Sequence, residues 1–388
     1  MRTFIALITG FAICATGGGA AAQITAGPPP LPSVTPQTAA TGDEIVVVGR
    51  RTGPRLWRVT KPDASGEIFI LVSVETVPED LEWESSGIAL LLEDAQEVLL
   101  SPSAAFGAGN RARMAGAVIR TLIFNPGRIR MKRGETLADK VGPDLAAQFD
   151  RARARVDARA RLRKDRKKET REKDDPDAAF EGLDEASQER IEKRLQDLKP
   201  ERLHPFLQAG TLQGDALESA GLEYFETIEK DVAKLARKAK VKSRPISEID
   251  VAFRDIKQAL KSIQNFSENT NRLCIIDAID FAENQLEIEA ARADAWARGN
   301  VAYLRQTARP ERLSPCGKAL SDELQGLKTF GGAKLEDVDT VALWTDEIDR
   351  LLSEDGIRLA IIPDNVWLRP DGAMDRLRQN GAIVRSPD

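Results

Sequence analysis

The feature that most limits the fold is the position of two apolar, β-branched runs at opposite ends of the chain. Glu67 to Val74 reads as a strand near the start, and Ile357 to Ile362 as another near the end. A strand cannot satisfy its own backbone groups, so each run needs a neighbour. Between them the apolar residues recur at helical spacing: Ile228, Val232, Leu235 and Ala239, then Phe253, Ile256, Leu260 and Ile263. Ile191, Leu195 and Leu198 do the same, and Pro200 ends that helix. Shorter signals complete the ends. Leu56-Trp57-Arg58-Val59 pairs with Glu67 to Val74 across the turn at Pro62 to Gly66, and Glu97 to Leu100 is a further short strand. Asp371 to Gln379 reads as a helix capped by Gly381, followed by a last strand at Ala382-Ile383-Val384. The fold class is therefore α+β, helix-rich, with a central sheet formed by strands from both ends of the chain.

The first 22 residues read as a secretory signal peptide. Arg2 gives the positive start, Phe4 to Ala15 the apolar core, and Ala20-Ala21-Ala22 the small residues before a cleavage point at Gln23. The core is too short to cross a membrane. Phe11-Ala12-Ile13 before Cys14 does not suit a lipidation site. A periplasmic location is expected. Residues 23–52 are a Pro- and Ala-rich tether carrying Glu44, Ile45, Val46 and Val47. That segment resembles the Glu-Ile-Val-Val stretch of TonB-dependent outer-membrane proteins, which pairs by strand addition. The other reading is an ordinary edge strand.

Residues 53–388 form one domain with a basic insertion at about 151–175, helical or disordered. Arg151 to Lys173 holds twelve Lys or Arg and four acidic residues, with almost nothing apolar after Val156. Such a run suits either polyanion contact or a solvated helix. Over the whole chain the net charge is -5 and aromatics are 5%, which argues against nucleic-acid binding.

Few residues carry obvious chemistry. Gly107-Ala108-Gly109-Asn110-Arg111-Ala112 has dinucleotide-loop spacing, but it stands off the preceding strand. Arg130, Lys132 and Arg133 occupy the window where an acidic residue belongs. No cofactor is expected. His204 is the one histidine, set between Leu203 and Pro205 where packing explains it. Once the leader is removed, Cys274 and Cys316 remain, and in an oxidising compartment they read as one disulfide.

Several runs, in order, resemble the TraB/GumN family. Pro54 to Val59, Glu67 to Leu71, Pro78 and Trp83 look like its opening. Gly134-Glu135-Thr136-Leu137-Ala138-Asp139 and Leu183 to Gln208 look like its middle. Ala295-Trp296-Ala297-Arg298-Gly299-Asn300, Pro370-Asp371-Gly372, Gly381 and Val384 look like its close. Relatives are regarded as metal-dependent peptidases built on Gly-x-x-His motifs. Here Val72-Ser73-Val74-Glu75 and Pro363-Asp364-Asn365-Val366 stand at the motif positions. Leu100 and Asp250 take the places of two further glutamates, and Thr340-Val341-Ala342 those of an Arg-Asn-Arg. The resemblance thus implies a degenerate member with no metal and no catalytic residue, acting as a periplasmic binding or accessory protein for an unknown protein or envelope ligand. The alternative is a hydrolase with a carboxylate-only site on Glu75, Asp250 and Asp364, since hard cations accept oxygen ligands alone.

Overall fold

The computed structural model describes residues 56–105 apart from 82, 84 and 102, then 130–168, 200–250, 263–308, 314–325 and 339–386. The leader, the tether with Glu44 to Val47, the glycine loop at 107–112 and the helical patterns at 191–198 and 253–260 lie outside the described residues.

The expected sheet forms, and it is drawn from both ends of the chain. Strands β1 (Trp57–Thr60) and β2 (Gly66–Ser73) pair antiparallel around the Pro62–Gly66 turn. After the short β3 (Thr76–Pro78) and helix α1 (Ser86–Asp94) comes β4 (Ala95–Leu100). Strands β5 (Ser103–Ala105), β6 (Leu222–Tyr224), β7 (Lys242–Pro245) and β8 (Glu248–Asp250) follow in the middle of the chain. The late run is β9 (Gly356–Pro363), and β10 (Ile383–Arg385) ends the chain's strands.

Six of these make one mixed sheet in the order β10-β1-β2-β9-β4-β7. Its core of β2, β9, β4 and β7 is parallel throughout. Successive residues of β9, Leu359 to Ile362, are all 0% exposed, so both sheet faces are covered, as parallel sheets require. Helix α1 packs on β4 and β9 and against α5 (Glu226–Lys238). Helix α10 (Thr340–Leu352) packs on β2, with Gly66 so close beneath it that a Cβ would lie 2.6 Å from the Leu352 carbonyl. After β9 come the single turn α11 (Asp364–Trp367) and α12 (Ala373–Gln379). That last helix begins two residues later than the sequence suggests. Asp371 takes a φ of 55° and Gly372 caps the helix, so Pro370-Asp371-Gly372 is a turn.

A second core is mainly helical. It joins α2 (Leu137–Val141), α3 (Pro143–Lys168), α4 (Pro205–Ala220) and α6 (Glu268–Asp280) around Phe149, Val156, Leu212 and Ile275. From α6 the chain passes through one π-helical stretch, Phe281–Gln285, into α7 (Leu286–Ala297). Helix α8 (Val301–Thr307) packs against α7, and α9 (Pro315–Gln325) against α6. The basic stretch is helical through Lys168 as the continuation of α3; its remainder lies outside the described residues. Its arginines find partners distant in sequence: Arg153 meets Asp215 at 3.6 Å, Arg155 meets Glu283 at 2.5 Å and Arg163 meets Glu79 at 2.5 Å.

Candidate functional site

The four parallel strands end on one edge of the sheet, which in α/β sheets is where ligands bind. Ser73 pairs with Pro363 at the ends of β2 and β9, so Glu75 and Asp364 lie just past two neighbouring strand ends. Leu100 ends β4 on the same edge. Four positions that the resemblance singles out, Val72, Glu75, Leu100 and Asp364, therefore share this end of the sheet. Asp250 ends β8, which pairs with β5 in a separate two-stranded sheet.

The structure adds two residues that the sequence did not mark, Glu289 and Arg292 of α7. Arg292 is 9% exposed. Its guanidinium donates to the Asp364 carboxylate through Nη2 and to the Thr307 carbonyl and hydroxyl through Nη1, at 2.8 and 3.0 Å. Glu289 lies one helical turn earlier, its Oε1 3.7 Å from Arg292 Nε. The one sequence signal was an i,i+3 charge pair ahead of Ala295-Trp296. Trp296 explains why α7 sits here. Its buried indole Nε1–H donates to the Val72 carbonyl at 2.6 Å, and its ring meets Phe225 edge-on at 5.3 Å. The Phe225 amide in turn donates to the Glu75 carbonyl at 3.1 Å.

Electrostatics follow from this packing. Burial pushes the Glu75 carboxyl up to about 8, the charges of Glu289 and Asp364 add to the rise, and Arg292 opposes it. Glu75 nevertheless keeps an open surface. Burial also raises Asp364, which is 4% exposed, against the pull of Arg292. Near neutral pH the group therefore holds a protonated Glu75 beside an Asp364–Arg292 pair. Thr76 Oγ1, Asn365 Oδ1 and Trp367 Nε1, all on the segments after β2 and β9, are buried without a hydrogen-bond partner.

These donors do not fit the metal centre that the family implies. No imidazole stands on this edge, Glu75 keeps its proton near neutrality, and Asp364 is already taken by a guanidinium. Among the described residues no three His, Cys, Asp or Glu side chains converge as a metal site would need. His204 is elsewhere, at the start of α4, 4% exposed and edge-on to Phe266 at 6.2 Å. Burial, with a smaller push from Lys140, holds it down to about 4. Cys274 and Cys316 form a disulfide. Among the described residues no helix is long and apolar enough to cross a membrane.

Comparison with curated proteins and with solved structures returns no match. The sequence pattern of the TraB/PrgY/gumN family, in contrast, matches residues 55–386, nearly the whole chain and every strand described above. On that match the chain belongs to the TraB/PrgY/gumN family.

Proposed function

We propose that this protein is an exported, periplasmic member of the family that binds a ligand at the ends of β2 and β9 without metal-dependent hydrolysis. One observation carries the reading: Arg292 occupies the carboxylate of Asp364, in contact distance of Glu289. A metal hydrolase needs a Lewis acid with an open position and an activated water. A guanidinium balances the charge but offers neither. Export rests on the leader at residues 1–22, and the unknown partner is a protein or envelope ligand, with Glu44, Ile45, Val46 and Val47 as a candidate pairing strand.

A second reading has its own support. A carboxyl held near 8 beside an arginine-paired one is placed to act as a general acid at neutral pH, so Glu75 and Asp364 could serve a hydrolase using carboxylates alone. One experiment separates the two. The mature protein, purified from periplasm without chelator, is analysed for metal and tested on a broad peptide pool beside Glu75→Ala. The binding reading expects no stoichiometric metal and no hydrolysis. Near-equimolar metal, or hydrolysis lost in the variant, would overturn it.

A further inference from the structure

Outside this site, the disulfide has a setting that its staple role does not require. Cys274 lies inside α6 and is 1% exposed, whereas Cys316, the second residue of α9, is only partly buried. A thiol arriving from solvent meets Cys316 first. Helices α6 and α9 are also fastened to each other without the covalent bond, on both sides of it. At one side Asp277, one turn after Cys274, accepts the Cys316 amide at 2.9 Å and the Ser314 hydroxyl. At the other, Glu323 near the end of α9 accepts the Ser267 amide at 3.0 Å and the Thr270 hydroxyl at 2.5 Å, at the start of α6. Ser314 itself caps α9, its Oγ accepting the Gly317 amide at 3.0 Å.

None of these bonds runs through the sulfurs. A disulfide that opens without losing its scaffold can close again. From this geometry we infer that Cys274–Cys316 is a reversible thiol–disulfide site in the folded protein, with Cys316 the exchanging sulfur and Cys274 the buried resolving one. The partner is a dithiol reductant, small or borne on a protein. One of its thiolates attacks Cys316 Sγ, a mixed disulfide forms and Cys274 leaves as thiolate, taking a proton. The second thiol of the partner then attacks the mixed disulfide. Cys316 leaves as thiolate, and the partner departs oxidised with two electrons given to the cystine.

The test treats the full mature chain with reduced glutathione and with dithiothreitol under native conditions and traps thiols by alkylation and mass spectrometry. Reduction is expected to rise about tenfold for a tenfold increase in thiol, the signature of attack on the folded protein. Hydrogen exchange of the reduced protein should keep α6 and α9 protected, and reoxidation should restore one cystine. In Cys274→Ser, oxidised glutathione should load Cys316; in Cys316→Ser, it should leave Cys274 unmodified. Two results would overturn the inference. One is a reduction rate independent of thiol and equal to global unfolding. The other is loss of protection in α6 and α9 on reduction, which would make the bond a staple.

Discussion

Replacing Arg292 by methionine tests whether the sheet-edge cluster is held by this one cation. Methionine keeps most of the side-chain length and removes the charge. Three consequences follow from the geometry. Asp364, 4% exposed, loses the group that neutralises it, and the Thr307 carbonyl and hydroxyl lose theirs. Breaking a buried pair by removing one partner costs about 3–5 kcal/mol, because the remaining charge is left uncompensated. For chains of 150–250 residues, about 2–4 °C of midpoint temperature accompanies each kcal/mol. This chain is longer, so the low end applies and a drop of roughly 6–10 °C is expected. The deficit should shrink as pH falls. With Arg292 gone the Asp364 carboxyl rises further above its unfolded value, the folded state binds the extra proton, and stability then increases toward acid. Adding Asp364→Asn should recover more than half of the loss, since a neutral amide needs no counter-charge. Thermal melts of the single and double variants at pH 7 and pH 5 measure all three effects. A single variant within about 1 kcal/mol of the parent, or a double variant no better than the single, would refute the argument.

Other perturbations read other parts of the same structure. His204 is held down to about 4 from 6.5, so the unfolded chain takes up a proton that the folded chain refuses. Stability should fall as pH drops from 6.5 toward 4, by on the order of 3 kcal/mol, and urea midpoints of His204→Leu should lose that slope. Glu75 acts in the opposite sense: raised from 4.5 to about 8, it binds its proton more tightly folded than unfolded. Stability should therefore decline as pH rises through that window, and Glu75→Gln should flatten the decline in the same titration. Trp296→Phe deletes the donor to the Val72 carbonyl and should cost about 1–3 kcal/mol in a denaturant melt, with no loss if the bond is not formed. Removing both cysteines opens a closure of 42 residues and should cost roughly 4 kcal/mol in the chain-entropy model, read from the urea midpoint.

Five strands of the sheet were legible from their own residues, whereas β7, Lys242-Ser243-Arg244-Pro245, has no apolar run to mark it. Both-face burial demands continuous apolar runs, and Glu67 to Val74 and Ile357 to Ile362 supply them. Glu75 and Asp364 were legible as a pair only through the family motifs, since nothing local says that two strand ends so far apart in sequence are neighbours. Arg292 was marked only by its i,i+3 pairing with Glu289. In a chain that is 30% charged such a pair does not stand out, and its value comes from Trp296 fastening that helix to β2. The basic stretch shows the same limit. Its helix could be anticipated, but Glu79, Asp215 and Glu283, which meet its arginines, lie on other elements. The start of α12 was misread because Asp371 adopts a left-handed conformation. Gly372 is also packed so closely that a Cβ would sit 2.6 Å from the Val366 carbonyl.

In the binding reading proposed above, what sets this chain apart from a metal hydrolase is the kind of positive charge at the strand ends. A divalent metal holds carboxylates with short bonds to their oxygens and keeps one position for water. A guanidinium spends its donors on fixed acceptors, here Asp364 and Thr307, and leaves no position open. On Asp364 the guanidinium supplies the counter-charge that a metal would otherwise bring. Glutamate at position 75 fits the guanidinium case. The Val72 carbonyl is taken by an indole that brings α7, and Arg292 with it, onto the edge of the sheet. Glu75 answers the remaining negative charge by keeping its proton. The glutamate at position 75 and the placement of Arg292 are thus parts of one arrangement.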